Sequence, residues 1–428
     1  MMQNHKIYFE QDSRIPITSF NLVFVGGGEQ QEKEELAGLS RMTAKLLFRG
    51  TTMLSRETIQ KKFDLLGAEV TTAVTETDFT VSVRSLTKNI QEVFSLLTHC
   101  FAAPAFPEEE LTIAKQQQKA SLLSSLQDSE TVLRTGHRYV LFNGKRFGKL
   151  GSLSALERIS RNEILLHYEK IINASVCYCS GISDLPLEEF EKLIAPFFKQ
   201  RQTNGYSLLP EAEYKNISVC EAHIIHLENA TNDRLMWSHQ GLSALDSRRF
   251  ALSLIVDALG SFEGYLFDEL RNKKGWCYGA YATVLPGTTR LGRVIYYSDP
   301  SNESSQYLYP ALLEHIQNFQ HEKNFISRLQ ERPSTFKNRF AYQLDRKYKL
   351  TSRINFDRYG IPILSKEEYV QEIDSITPSL FSETIQALFQ PKKLVMVFYG
   401  DSGRIQTILK GIEPNLHLSI YDKQVIIE

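Results

Sequence analysis

Residues 175–194, SVCYCSGISDLPLEEFEKLI, and residues 393–409, KLVMVFYGDSGRIQTIL, decide the fold of this 428-residue chain. Each stretch has the pattern of an apolar strand, a loop that begins near a glycine, and an amphipathic helix. Gly181 and Gly400 hold matching places in the two stretches and lie 219 positions apart. A repeat of one strand–loop–helix unit at this distance predicts two homologous domains.

The first strands of the two halves support the same repeat. Ile7 lies in a predicted strand at 6–10, and Ile224 lies in a predicted strand at 223–227, 217 positions later. Longer strand patterns follow in both halves, and helical patterns such as those at 36–48 and 265–272 come next. The order of elements is therefore the same in both halves.

The predicted fold class is α+β, with two homologous domains that each contain a mainly antiparallel β-sheet covered by helices. The domains are expected at residues 1–200 and 216–428. Residues 201–215, RQTNGYSLLPEAEYK, are largely polar and contain a glycine and a proline, as is typical of a linker.

Composition excludes several classes of protein. The formal net charge is -1, with 49 Lys and Arg against 50 Asp and Glu, and no basic block argues for nucleic acid as a partner. Five cysteines are too few for a disulfide scaffold, and no run of 18 apolar residues predicts a transmembrane segment. The opening MMQNHKIYFE lacks the pattern of a signal peptide, so a cytoplasmic location is expected, or a periplasmic one if the natural N-terminus was trimmed.

An ordered set of motifs resembles one family of proteins. The motifs are the glycines at 26–28 followed by Glu29, GLSRMTAKLLFRGT (38–51), LLGAEVTTAVTETDFTV (65–81), FAAPAFPEEEL (101–111), CSGISD (179–184) and ELRNKKGWCYGAY (269–281). Together they resemble the zinc peptidases of the pitrilysin, insulin-degrading-enzyme and mitochondrial-processing-peptidase group. The resemblance covers nearly the whole chain and implies two α+β domains arranged as a half-clamshell.

The zinc motif of that family is degenerate here. In the family, an H-x-x-E-H helix places two histidines one turn apart on zinc, and the glutamate activates the zinc-bound water. The matching positions are Arg41, Ala44 and Lys45. The third ligand, a glutamate on a later helix, aligns with Ser121, and no carboxylate lies between Glu110 and Asp128.

These replacements predict that this chain binds no catalytic metal. Arginine has no lone pair for a metal, and two unit charges 4 Å apart repel by about 4 kcal/mol at an effective dielectric constant near 20. Two readings of Arg41 and Lys45 remain open: solvated charges on a helix surface, or cations that fill the vacant site through ion pairs. No cofactor is expected in this chain, and zinc is expected only in a partner subunit.

A second functional pair of the family is present. The resemblance implies that an arginine and a tyrosine, seven residues apart, hold the substrate backbone and the developing oxyanion. Arg271 and Tyr278 have this spacing within FDELRNKKGWCYGAY (267–281). Both side chains donate hydrogen bonds, which suits an oxygen that gains negative charge. Spacing alone also fits an arginine in the last turn of a helix and a tyrosine that packs at the start of a strand.

The resemblance implies a non-catalytic subunit of a heterodimeric zinc peptidase. Such a subunit would form half of a peptide chamber and contribute Arg271 and Tyr278 to the zinc site of a homologous H-x-x-E-H subunit. Its substrate would be an extended or unfolded peptide. The alternatives are a scaffold without a role in proteolysis, as in subunits of the respiratory cytochrome bc1 complex, and a peptide-binding homodimer.

Overall fold

A computed structural model of the chain describes residues 5–174, 176–199 and 211–428. Its strands form two sheets. The first sheet contains β1 (His5–Gln11), β2 (Ile17–Val25), β3 (Glu69–Val74), β4 (Asp78–Leu86) and β5 (Cys177–Ser183). The second sheet contains β6 (Glu221–His226), β7 (Arg234–Gln240), β8 (Cys277–Leu285), β9 (Arg293–Pro300), β10 (Val395–Gly400) and β11 (His417–Tyr421).

The two sheets have the same topology. The strand order is β1-β5-β2-β4-β3 in the first and β11-β6-β10-β7-β9-β8 in the second. In the shared part of the pattern, β1 pairs with β5 and β6 pairs with β10 in parallel, and the remaining pairs are antiparallel. Strand β11 is an addition that pairs in parallel with β6. The predicted α+β class with two homologous, mainly antiparallel sheets is therefore confirmed.

Helices cover these sheets. They are α1 (Leu39–Leu46), α2 (Arg56–Leu65), α3 (Ile90–Ala102), α4 (Glu108–Ser125), α5 (Ser129–Leu141), α6 (Leu153–Arg158), α7 (Arg161–Ala174), α8 (Leu187–Lys199), α9 (Arg249–Gly260), α10 (Ser305–Asn318), α11 (Lys323–Arg339), α12 (Arg346–Tyr359), α13 (Lys366–Asp374), α14 (Pro378–Leu388) and α15 (Ser402–Ile412). Within the described ranges, no helix is long and apolar enough to cross a membrane.

The chain forms two compact units that are discontinuous in sequence. The first comprises the described parts of 1–122, 151–212 and 344–360, and the second comprises 123–150, 213–343 and 361–428. Each unit thus includes one segment from the other half of the chain, unlike the continuous domains 1–200 and 216–428 that the sequence predicts. Residues 201–210 of the predicted linker lie outside the described residues.

Helix α12 belongs to the first unit because it packs on the first sheet. Ile354 is buried against Val23, on β2, and Tyr178, on β5. The Arg358 guanidinium forms an ion pair with the Asp78 carboxylate of β4, with 2.6 Å between Nη1 and Oδ2. Apolar contact and a largely buried ion pair therefore fix this helix.

Helix α5 belongs to the second unit for a similar reason. A Cβ atom at Gly136 would lie 1.9 Å from Cδ1 of Ile225 on β6, so a larger residue there would force the end of that side chain to move. The next residue, His137, forms a hydrogen bond between Nε2 and Oγ of Ser238 on β7, at 2.7 Å.

The core of the first unit positions α1. Met42, Leu46 and Phe24 belong to the same buried cluster. The helix is shorter than the predicted 36–48 because Gly38 adopts a left-handed φ of 97° immediately before it. The preceding residues Glu34–Leu36 form a separate 3₁₀ turn. The apolar face of α1 is therefore buried, and its polar positions lie at the edge of the core.

Candidate functional site

Helix α1, in the first unit, begins at an unusual cap. Its N-cap residue Gly38 has no side chain to accept a hydrogen bond, and the carboxylate of Glu32 takes that role. The Glu32 oxygens accept hydrogen bonds from the backbone N–H groups of Gly38, at 2.8 Å, and Ser40, at 2.7 Å. Burial raises the pKa of Glu32, although these hydrogen bonds oppose the shift. Glu32 thus satisfies helix donors that would otherwise be unpaired.

Ser40 extends this hydrogen-bond network into the core. Its Oγ lies 2.9 Å from Nε2 of His167 and donates to the carbonyl oxygen of Gly28. Burial is the main reason why the pKa of His167 falls to about 4, and the nearby Lys170 lowers it further. His167 is therefore neutral at pH 7, and its Nε2 is engaged by the Ser40 hydroxyl in the interior of the unit.

Two of the degenerate motif positions, Arg41 and Lys45, lie one turn apart on α1. Arg41 forms an ion pair with the carboxylate of Glu29, which follows the glycines at the end of β2. Lys45 is half-buried, and desolvation, followed by repulsion from Arg49, lowers the pKa of its amine. Arg41 therefore agrees with the interpretation in which a cation fills the site through an ion pair. Lys45 does not, because it forms no ion pair among the described residues.

The other two motif positions differ from each other in burial. Ala44 is 5% exposed and lies in the core, where its carbonyl oxygen accepts a hydrogen bond from the Thr72 hydroxyl at 3.2 Å. Ser121 is exposed on α4. Elsewhere on α4, Glu110 forms an ion pair with Arg49, with 3.1 Å between Oε2 and Nη1. This carboxylate of α4 therefore binds a cation of the chain itself.

The residues at these positions do not fit a zinc ion. Arginine and alanine supply no ligand atom, and a protonated lysine repels a cation. Among the residues that the structure describes, no group of three or more His, Cys, Asp and Glu side chains is arranged to hold a metal ion.

The second candidate site lies in the second unit, where the predicted helix at 265–272 overlaps a π-helix. Phe267–Lys273 has this geometry, and β8 begins four residues after it, at Cys277. The pairing of β8 with β9 then shifts register between Cys277 and Ala280. Both π-helices and β-bulges redirect side chains and often accompany functional sites. No pattern in the sequence distinguishes this π-helix from an α-helix.

These irregularities bring Arg271 and Tyr278 together. Arg271 Nη1 donates a hydrogen bond to the carbonyl oxygen of Cys277 at 3.3 Å. The Arg271 guanidinium lies 5.5 Å from the centre of the Tyr278 ring. Tyr278 is 75% exposed, and Arg271 is also exposed. The pair therefore presents a guanidinium and a phenol to solvent in one place.

Nearby carboxylates are engaged elsewhere. Glu269 binds Lys273, with 2.6 Å between Oε1 and Nζ. Asp299 accepts the N–H of Gly279 at 2.9 Å, and burial raises the pKa of its carboxyl group. In the described part of the chain, no carboxylate forms an ion pair with Arg271. Its charge is therefore available to a ligand.

The amino-acid sequence matches two family profiles. Residues 10–141 match the insulinase profile of peptidase family M16, and residues 158–326 match the profile of the peptidase M16 inactive domain. Together these matches cover more than two thirds of the chain. The matched ranges include Arg41 and Lys45 on α1, Arg271 on the π-helix and Tyr278 on β8.

Two curated relatives and one solved structure are similar to the chain. A non-peptidase homolog, YmxG, of Helicobacter pylori is 21% identical over 211 residues, which are 48% of this chain and 46% of that protein. An uncharacterized zinc protease, SCO5738, of Streptomyces coelicolor is 19% identical over 263 residues, which are 60% and 57% of the two chains. The chain thus spans about half the length of the curated relatives that it matches.

The crystal structure of a peptidase M16 inactive domain from Pseudomonas fluorescens has the same fold. It superimposes with a TM-score of 0.80 at 19% identity, over 94% of this chain and 97% of that one. The members of this family that are similar to the chain include an inactive domain and a non-peptidase homologue. Family profiles, relatives and fold agree, and the chain belongs to the insulinase family of peptidases, family M16.

Proposed function

We propose that this chain is the non-catalytic subunit of a heterodimeric zinc peptidase. It forms half of the peptide chamber and contributes Arg271 and Tyr278 to the zinc site of a homologous subunit that carries H-x-x-E-H. The observation that carries the proposal is the exposed contact between the Arg271 guanidinium and the Tyr278 ring. An arginine that has no counter-ion in the described part of the chain is suited to bind an anionic or polarised oxygen.

The region around α1 supports the absence of catalysis by this chain alone. Arg41 has no atom that can ligate a metal, and Ala44 has no carboxylate to act as a general base. Zinc does not fit these residues, so the chain itself activates no water. The metal belongs to the partner subunit.

Arg271 and Tyr278 act on the substrate carbonyl group. Both donate hydrogen bonds, and donors aimed at an oxygen stabilise it most when it becomes negatively charged in the transition state. Strand β3 lies at the edge of the first sheet, and its residues are exposed or half-buried. An extended peptide is therefore the fitting substrate, because it can pair with such an edge through its backbone.

Reconstitution tests the proposal. The full chain is mixed with an H-x-x-E-H subunit from the same organism, and hydrolysis of a fluorogenic peptide is measured. We expect Arg271→Ala to lower kcat/KM by about 10²–10³-fold, as for the loss of one oxyanion donor, and Tyr278→Phe to lower it by about tenfold. Arg134→Ala and Tyr342→Phe are matched controls, because both residues are exposed in the second unit and lie outside this pair.

Other outcomes favour the alternatives. Assembly with the partner, with full activity in both Arg271→Ala and Tyr278→Phe, would make the chain a scaffold. Peptide binding by the isolated chain as a homodimer would make it a peptide-binding module. Near-stoichiometric zinc in the purified chain, lost when residues 41–45 are substituted, would contradict the proposal outright.

A further inference from the structure

A cavity of about 240 Å³ lies in the second unit, and neither Arg271 nor Tyr278 lines it. Its walls come from the segment 213–217, the end of β7, the start of β9 and the region between α14 and β10. Three cationic side chains line the cavity: Lys215, Arg293 and Lys393.

Arg293 is the unusual member of this set. Only 4% of the residue is exposed. Its Nη2 donates to Ser238 Oγ at 3.1 Å, and its Nε is buried without an acceptor. Within the described residues, no carboxylate forms an ion pair with it. A buried cation without a counter-ion is costly, and such groups are normally paired.

The guanidinium nevertheless keeps its charge. Burial lowers the pKa of Arg293 to about 10, so the group is protonated at pH 7. Ser238 cannot neutralise it, because a hydroxyl supplies only a dipole and Ser238 also bonds to His137. Glu221 acts on this charge only at a distance, and its effect on the pKa is smaller than that of burial. The interior of this unit therefore holds a positive charge that has no ion-pair partner among the described side chains.

The other groups around the cavity leave an excess of positive charge. Lys215 is neutralised by Glu221, with 2.5 Å between Nζ and Oε1. Lys393 is exposed and has no ion-pair partner among the described residues. Glu213 adds one negative charge at the rim. Burial lowers the pKa of His239 to about 4, so this histidine is neutral at pH 7. Arg293 and Lys393 thus outweigh Glu213 by one charge.

An aromatic ring forms part of the wall. Tyr214 lies close to two guanidinium groups, with its ring centre 4.4 Å from Cζ of Arg290 and 5.9 Å from Cζ of Arg293. Lys215 N–H also donates to the carbonyl oxygen of Leu141, at 2.8 Å. These contacts hold the segment 213–217 beside Arg293, so the cavity is built into the unit rather than left by a loose loop.

We propose that this cavity binds a small oxyanion, a carboxylate or a phosphate, through Arg293 and Lys393. Guanidinium groups bind both oxyanions in the same forked geometry, and Gln390 adds an amide donor to the lining. A volume of about 240 Å³ suits a small anion and lies below the ~300–1,000 Å³ of clefts that hold drug-sized ligands. The site is independent of the proposed role of Arg271 and Tyr278.

Thermal unfolding and calorimetry of the full chain test this site with inorganic phosphate and with succinate. Both are compared with chloride at equal ionic strength. A ligand that binds only the folded state raises Tm in a saturable way. We expect Arg293→Met to abolish the saturable rise and Arg134→Met, an exposed arginine of the same unit, to leave it unchanged. Binding of only one of the two probes identifies the oxyanion and supports the proposal.

Variants at the rim keep the test decisive if Arg293→Met does not fold. Lys393→Gln and Gln390→Leu replace side chains that line the cavity outside the buried core. We expect each to weaken binding, and the loss of the Lys393 charge to raise Kd by about tenfold. The proposal is wrong if neither probe gives a saturable response, or if Arg293→Met and Lys393→Gln respond as the wild type does.

Discussion

The surroundings of α1 and the segment from the π-helix to β8 use their polar side chains in opposite ways. Near α1, Glu32 binds backbone N–H groups, and Arg41 binds Glu29. In the second segment, Arg271 and Tyr278 contact each other and face solvent. Polar groups with internal partners stabilise a fold, whereas polar groups that lack them are available to a ligand. The comparison predicts that substitutions in the first region change stability and those in the second change activity.

The largest expected effect concerns acid, which should unfold the second unit first. Its buried histidines His137 and His239 have pKa values lowered to about 3 and about 4, mainly by desolvation. In the unfolded chain a histidine titrates near pH 6.5, so that state binds protons that the folded state excludes. Stability is full above pH 6.5 and falls as the pH drops, by about 1.4 kcal/mol per pH unit for each group.

The first unit loses less stability in the same range. It has one such histidine, His167, against two in the second unit. A carboxyl group with a raised pKa acts in the opposite direction in each unit, Glu32 in the first and Asp299 in the second, because it binds a proton more readily when folded. Trp237 and Trp276 are the two tryptophans of the chain, and both lie in the second unit. As the pH falls, tryptophan fluorescence, which reports on the second unit, should therefore change first. The far-ultraviolet circular dichroism of the first unit should be lost only at a lower pH.

Two histidine variants check this explanation. His137→Asn should move the fluorescence transition to lower pH, and His321→Gln, at an exposed position, should leave it unchanged. Simultaneous loss of both signals at one pH would show that the units do not differ in acid stability.

Removal of the α1 cap is the next largest effect. Glu32→Ala leaves the N–H groups of Gly38 and Ser40 without an acceptor, and we expect the free energy of unfolding to fall by about 3 kcal/mol. Glu34→Ala is the matched control, because Glu34 is an exposed carboxylate in the neighbouring 3₁₀ turn and should change the value by less than about 0.5 kcal/mol. Urea denaturation measures the free energy of unfolding of both variants. Equal values would show that Glu32 does not stabilise the start of α1.

Arg271→Ala and Tyr278→Phe should have smaller effects on stability. Both residues are exposed, and Arg271 loses one long hydrogen bond and one cation–π contact, so we expect less than about 1 kcal/mol. The same variants should strongly reduce peptide hydrolysis by the reconstituted complex. A loss of stability as large as that of Glu32→Ala would instead make the pair a structural element and would erase the contrast between the two regions.

Local pattern predicted the parts of the fold that depend on neighbouring residues. The predicted strands at 6–10 and 223–227 correspond to β1 and β6 in the structure. The repeat of Gly181 and Gly400 identified matching strands, β5 and β10. These signals are periodicity, caps and repeats, which a sequence displays directly.

Features that depend on distant contacts were not predictable in this way. Helix α5 lies in a stretch for which the pattern gave no element, and its place on the second sheet depends on Gly136 and Ile225, far apart in the chain. The helix cap formed by Glu32 and the burial of Arg293 likewise depend on how the chain packs, which the composition of a short segment does not reveal. Arg271 and Tyr278 were selected by a family resemblance, and their roles stay a prediction.

Lys45 gives the smallest expected effect and tests the first region most closely, because it is the exception there. The amine is half-buried, its pKa is lowered by desolvation and by Arg49, and the described residues supply no carboxylate to pair with it. Lys45→Met keeps the apolar stem and removes the like charge, so we expect the free energy of unfolding to rise by about 0.5 kcal/mol. The gain should shrink at 1 M salt, where charges are screened within about 3 Å, while Lys61→Met, at an exposed position, should change little at any salt concentration. A loss of stability in Lys45→Met would mean that the lysine has a stabilising partner, and both cations of the degenerate motif would then be structural.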